Sequence, residues 1–171
     1  MPRLEKENLD ALSPTDICAI LRSCTSERDK ALCLFLLDSG VRASELVALN
    51  VGDIDLKTGI VLVRLGKGQK ARTTYIGART RKQIKRYWSE RSDTRPHTPA
   101  FASEFKNGRL RVDGLVQLME RLRGRSGVKN CTAHAFRRTF AINCLRTGMN
   151  PYEDAVSPQS DAPSHARRSF G

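Results

Sequence analysis

Seven consecutive apolar residues, Ala31-Leu32-Cys33-Leu34-Phe35-Leu36-Leu37, stand just ahead of Gly40. A segment with so little polar face must be covered on nearly every side. It reads as the central core helix of a domain, running from about Ser26 to Ser39, with a buried strand as the alternative. Gly40 suits the left-handed position that stops a helix. The run is far too short to span a bilayer. The N-terminus, Met1-Pro2-Arg3-Leu4-Glu5-Lys6, has no apolar core of a secretory signal.

Other elements arrange themselves around that helix. Ser13-Pro14-Thr15-Asp16 is a helix start, with Ser13 as N-cap, Pro14 at the first helical position and an acid in the first turn. A short helix is expected from Arg42 to Leu49. Ile60 to Leu65 and Arg72 to Ile76 read as a hairpin closed by the glycine-rich loop from Gly66 to Lys70, and Asp53 to Asp55 could add a third strand. From Ala78 to Arg91 the pattern is helical, with Ile84, Tyr87 and Trp88 on one face. Helices follow from about Val112 to Arg125 and from His134 to Thr147, the last ending at Gly148. The fold class is therefore mixed α/β, mainly α-helical, with a small antiparallel sheet. At 171 residues the chain suffices for one domain with its own core. Residues 1–12 read as a linker remnant, 13–151 as the domain and 152–171 as a divergent tail.

Charge narrows the partners. The net charge is +12, and it is unevenly spread. Residues 1–60 hold seven Lys/Arg against ten Asp/Glu, residues 61–91 hold ten against one, and residues 106–138 hold nine against two. Two basic blocks on an otherwise neutral domain suit a polyanion, and a nucleic acid is the expected partner. Five cysteines at irregular spacing suit a reduced, cytoplasmic setting.

Three segments carry groups suited to phosphodiester chemistry. Arg42 opens a helix just after Gly40, where a guanidinium can offer paired donors to two phosphate oxygens. Glu45, one turn on, could orient it, or could be a simple helix pair. His134 and Arg137 lie three apart and project from one side of a helix, with Phe136, Phe140 and Cys144 turned toward a core. Lys67 sits in the hairpin loop, where a mobile ammonium could protonate a leaving oxygen. Lys70, Arg72 and Arg138 suit contacts to a DNA backbone. The Gly-Lys-Gly string is no Walker A loop, since no Gly-x4-Gly-Lys-Ser/Thr is present. A zinc site drawn from Cys131, His134 and Cys144 lacks any Cys-x2-Cys pair, and no acidic cluster suggests a two-metal nuclease.

Taken in order, Gly40 to Leu49, Lys67 and the string Thr132-Ala133-His134-Ala135-Phe136-Arg137-Arg138-Thr139-Phe140-Ala141 resemble the catalytic domain of the tyrosine recombinases, or phage integrases. The resemblance runs from about Leu12 to Pro151. It implies that Arg42 and Arg137 bind the non-bridging oxygens of the scissile phosphate, that His134 assists by hydrogen bonding and proton transfer, and that Lys67 is general acid to the departing 5′ oxygen. In the family a tyrosine attacks, leaving a covalent 3′-phosphotyrosyl bond that stores the energy for rejoining, so no metal or nucleotide cofactor is expected. Double-stranded DNA and other recombinase protomers on it are the implied partners, with the protein in the cytoplasm, on the nucleoid when bound.

Beyond Pro151 the pattern breaks. Family spacing puts a histidine or tryptophan near Ser160 and the nucleophilic tyrosine near Ser169. His165 is displaced from the first position, and Tyr152, the one tyrosine after Arg137, comes too early. Residues 153–171 carry two prolines, four serines and no periodic apolar face. The expectation is a recombinase for DNA integration or excision that has been truncated or frameshifted after Pro151 and lacks its nucleophile, unless a neighbour donates one. The alternative is a catalytically inactive duplex-binding remnant that modulates an intact recombinase. A basic RNA- or ribosome-associated protein would explain the charge but not the ordered motifs. The N-terminal arm-like or core-binding domain usual in the family is expected to be absent, and affinity is accordingly expected to be modest and steeply salt-dependent.

Overall fold

The computed structural model describes residues 11–64, 70–105 and 108–148. Six α-helices and one hairpin make up the described chain. They are α1 (Pro14–Ser23), α2 (Glu27–Ser39), α3 (Ala43–Ala48), β1 (Ile60–Val63), β2 (Arg72–Tyr75), α4 (Ala78–Ser89), α5 (Val112–Ser126) and α6 (Ala133–Arg146). A 3-10 turn, Val51–Asp53, follows α3. The mainly helical architecture with a small antiparallel sheet is that expected from the sequence.

Local chemistry sets the helix ends. The Ser13 hydroxyl accepts from Asp16 N–H at 3.1 Å while Asp16 accepts from Ser13 N–H at 3.1 Å, a closed capping box. Ser26 caps α2 through Asp29 N–H. Gly40 ends α2 in the left-handed region, at φ 64°. Every residue of the run 31–36 is buried, and Leu32, Phe35 and Leu36 are fully so. The helix alternative for this run is therefore the observed one. It forms the centre of the domain, packed against α4, α6 and β2, while α1 packs on α5. Phe101 completes the core from the loop after α4, edge-on to Phe35 at 5.5 Å and stacked on Tyr87 at 6.2 Å.

The hairpin pairs Ile60 with Tyr75 through Val63 with Arg72. The third strand expected at Asp53 to Asp55 is a single bridge between Ile54 and Val61. Asp53 is committed to the 3-10 turn, where its carboxylate accepts from Asn50 N–H at 2.9 Å. Leu12, expected in the linker remnant, is buried, and its N–H donates to Thr139 Oγ1 on α6 at 2.8 Å. The tail from 152 to 171, with Tyr152, Ser160, His165 and Ser169, lies outside the described residues, as does most of the N-terminal segment.

Candidate functional site

Gly40 does two things at once. Its positive φ turns the chain out of α2, and its missing side chain makes room for Phe140 of α6. A Cβ built at Gly40 would lie 2.1 Å from Phe140 Cδ1, far inside van der Waals contact. Arg42 is two residues beyond Gly40, and Arg137 is one helical turn before Phe140. The contact thus brings the chain segments of both arginines together, although they are 95 residues apart in sequence. Phe136 is fully buried and Cys144 is buried, so the face of α6 expected to meet the core does so.

Arg42 is the N-cap of α3, in extended conformation, and its side chain is exposed. Its backbone N–H donates to Glu45 Oε2 at 2.8 Å. Glu45 itself is buried, and the same oxygen accepts from Arg72 Nη2 at 2.8 Å. Glu45 therefore fixes the Arg42 backbone rather than its guanidinium, and its ion partner is Arg72 of β2. This differs from the helix pair that local spacing suggests. The carboxylate bridges the start of α3 to the strand pair at which the hairpin opens, Val63–Arg72.

The loop leaving that pair carries Lys67, which lies outside the described residues. Lys70, at the loop's far end, is exposed. His134 is exposed in the first turn of α6, whose N-cap Thr132 accepts from Ala135 N–H at 3.1 Å. Arg137 and Arg138 are half-buried. The structure thus gathers the Arg42 turn, the hairpin base and the His134–Arg137 helix around the C-terminal end of α2.

Three supports could not be found from local sequence. Arg109 donates to the carbonyls of Val47, at 2.9 Å, and Leu49, at 3.1 Å, and so caps the C-terminal end of the helix that Arg42 begins. Asp38 Oδ2 accepts from Gly77 N–H at 2.7 Å and Thr80 Oγ1 at 2.6 Å, which gives α4 the N-terminal cap its own glycine lacks. Thr74 of β2 donates its hydroxyl to the Ser39 carbonyl at 2.9 Å. All three links are non-local.

The basic blocks divide by role. Arg72, Arg81, Arg91 and Arg109 engage protein carboxylates or carbonyls, so part of the positive charge is structural. Arg79, Lys82, Lys85 and Arg86 on α4, and Arg111, Arg123, Arg125 and Lys129 along and after α5, are exposed. Among the described residues no cluster of three or more His, Cys, Asp or Glu could hold a metal ion. None of the described helices is long and apolar enough to cross a membrane.

Known proteins are similar to this chain over most of its length. The phage integrase family profile matches residues 3–153. Tyrosine recombinase XerA of Saccharolobus solfataricus is 29% identical over 150 residues, covering 88% of this chain and 48% of that protein. Tyrosine recombinase XerC of Thermodesulfovibrio yellowstonii is 33% identical over 134 residues, covering 74% of this chain and 44% of its own length. The chain thus spans about half the length of these curated relatives. A crystal structure of XerA recombinase superposes with a TM-score of 0.73 at 26% identity, over 82% of this chain and 52% of that one. XerH site-specific recombinase, solved bound to its difH substrate before cleavage, shares the fold at a TM-score of 0.64 and 22% identity, over 80% of this chain and 43% of that one. With a catalytic-domain fold, a matched profile over most of its length and the ordered arginine segments in contact, the chain belongs to the phage integrase family.

Proposed function

We propose that this domain grips one phosphodiester of double-stranded DNA between Arg42 and Arg137, as the catalytic half of a tyrosine recombinase acting in site-specific recombination or integration. Residues 13–151 form the working domain. Arg42 and Arg137 neutralise charge on the non-bridging oxygens as the phosphorus becomes pentacoordinate. His134, one turn before Arg137, supplies a hydrogen bond and a proton route. Lys67 protonates the leaving 5′ oxygen, while Lys70, Arg138 and the exposed cations of α4 and α5 hold the flanking backbone. Such a protein works in the cytoplasm, on the nucleoid, alongside other protomers.

The observation that carries this reading is the seating of Phe140 on Gly40. It joins the two arginine segments without slack. Because Ser169 stands where family spacing calls for a tyrosine, the domain binds and polarises a phosphate without cutting it in cis. The test pairs two measurements. Titration of duplex DNA and of RNA of equal length should favour the duplex, and Arg42→Ala should weaken that binding by about tenfold to a hundredfold. Covalent capture on a nicked duplex should give no protein–DNA adduct from this chain alone. Undiminished binding by Arg42→Ala would defeat the clamp. An adduct mapped to Tyr152 would overturn the absence of a nucleophile.

A second reading, a duplex-binding regulator of an intact recombinase, is favoured by the same missing tyrosine. It predicts that the chain lowers recombination when added to a complete relative on a shared site.

A further inference from the structure

Two thiols meet where the end of α1 faces the middle of α2. Cys24 is the C-cap residue of α1 and is 7% exposed, whereas Cys33, in the middle of α2, is fully buried. Their sulfurs are 4.0 Å apart. The Cys24 thiol directs its proton to the Ile20 carbonyl at 3.4 Å. With that proton committed, the Cys24 sulfur is the acceptor and Cys33 the donor in the contact between them. We propose that Cys24 and Cys33 form an oxidisable dithiol, with Cys24 attacking a hydroperoxide and Cys33 resolving the product to a disulfide between α1 and α2.

The two sulfurs are electrostatically unlike. The S–H donated by Cys33 draws the Cys24 thiol below its ordinary pKa, and Lys30 and Arg125 act in the same direction against burial and Asp29. That bond and complete burial push Cys33 well up. Burial pushes the third neighbouring thiol, Cys131, up to about 11. Of these three, Cys24 is therefore the one that supplies a thiolate. Cys24, at the end of α1, keeps 7% exposure where Cys33 has none, so a small reagent meets Cys24 first.

The chemistry balances in two steps. The Cys24 thiolate attacks the outer oxygen of the peroxide, forming S–O and breaking O–O, and the alkoxide leaves as an alcohol after taking the thiol's proton. The Cys33 sulfur then attacks the sulfenyl sulfur, forming S–S and breaking S–O, and hydroxide departs with the Cys33 proton as water. Two thiols are oxidised and one peroxide is reduced. The sulfurs must close from 4.0 Å to the disulfide length of about 2 Å.

The experiment uses the full chain carrying Cys18→Ser, which removes the exposed thiol. The folded protein is treated with one equivalent of tert-butyl hydroperoxide, alkylated, and analysed by intact mass and peptide mapping. The expected result is a monomer lighter by two hydrogens, with two titratable thiols lost, a Cys24–Cys33 bond, and full recovery on reduction by a dithiol. Adding Cys33→Ser should halt the reaction at a sulfenic acid on Cys24 that dimedone traps. Retention of every thiol by a protein with unchanged circular dichroism would overturn the proposal. So would a bond from Cys24 to Cys131, or a disulfide that forms only in denaturant.

Discussion

Two junctions meet at the C-terminal end of α2, and they are built from opposite materials. On one side, Gly40 receives the ring of Phe140, an apolar contact with no spare volume. On the other, the hairpin is held by polar ties: Thr74 to the Ser39 carbonyl and Arg72 to Glu45. Close packing is steep, because a single added carbon forces a backbone or a ring to move. Polar ties are graded, because each can be weakened by a substitution of the same shape. The arginine segments are thus fixed rigidly, whereas β2, the strand that follows Lys67, is held by separable bonds. This fits what each must do if the domain handles a phosphodiester, since the clamp has to be in place before the chemistry and the lysine has only to reach the leaving oxygen.

The largest effect should come from the packed side. Gly40→Ala places a Cβ in the Phe140 ring and an alanine at positive φ, and should cost about 3 kcal/mol of stability. Chemical denaturation measures it, and adding Phe140→Ala to make room should return part of the loss. If Gly40→Ala alone were neutral, the steepness assigned to this junction would be wrong. Glu45→Gln comes next. It removes the charge opposite Arg72 while keeping an oxygen for the Arg42 N–H, and should cost about 2 kcal/mol. Hydrogen exchange should locate the loss in β2 and spare α6, and equal deprotection of both would erase the contrast between the junctions.

Thr74→Val leaves shape unchanged and removes one buried hydroxyl bond. About 1 kcal/mol is expected, read as a shift of the denaturation midpoint at constant slope. Lys70→Ala should be the mildest. Lys70 is exposed, so stability should move by less than about 0.5 kcal/mol, while the salt dependence of duplex binding falls by about one phosphate.

Much of the framework was legible because its signals are local. Ser13 with Asp16, Ser26 and Gly40 mark helix ends through bonds that span a few residues, and the apolar run needed no partner to be read as buried. The motif residues Arg42, His134 and Arg137 were also visible, since each stands in a short string with family spacing. What local reading could not give were the long-range bonds. Glu45 is three residues from Arg42, so spacing suggested a pair of side chains. Its ion partner instead comes from β2, 27 residues on, and its bond to Arg42 is through the backbone. Arg109 looked like part of a nucleic-acid-binding block until its carbonyl partners, some 60 residues away, became visible. Gly40 was legible as a helix stop, but the ring it accommodates lies 100 residues downstream.

The central claim is that Arg42 and Arg137 hold the same phosphate. The most direct measurement is duplex affinity against salt concentration for the unaltered chain, for each single alanine variant and for the double variant. A shared phosphate predicts that the double variant loses about 0.9 from the salt slope, as for one phosphate, and that the two single losses in binding energy are strongly non-additive. A slope loss of about 1.8 with additive energies would mean two separate phosphates and would contradict the clamp.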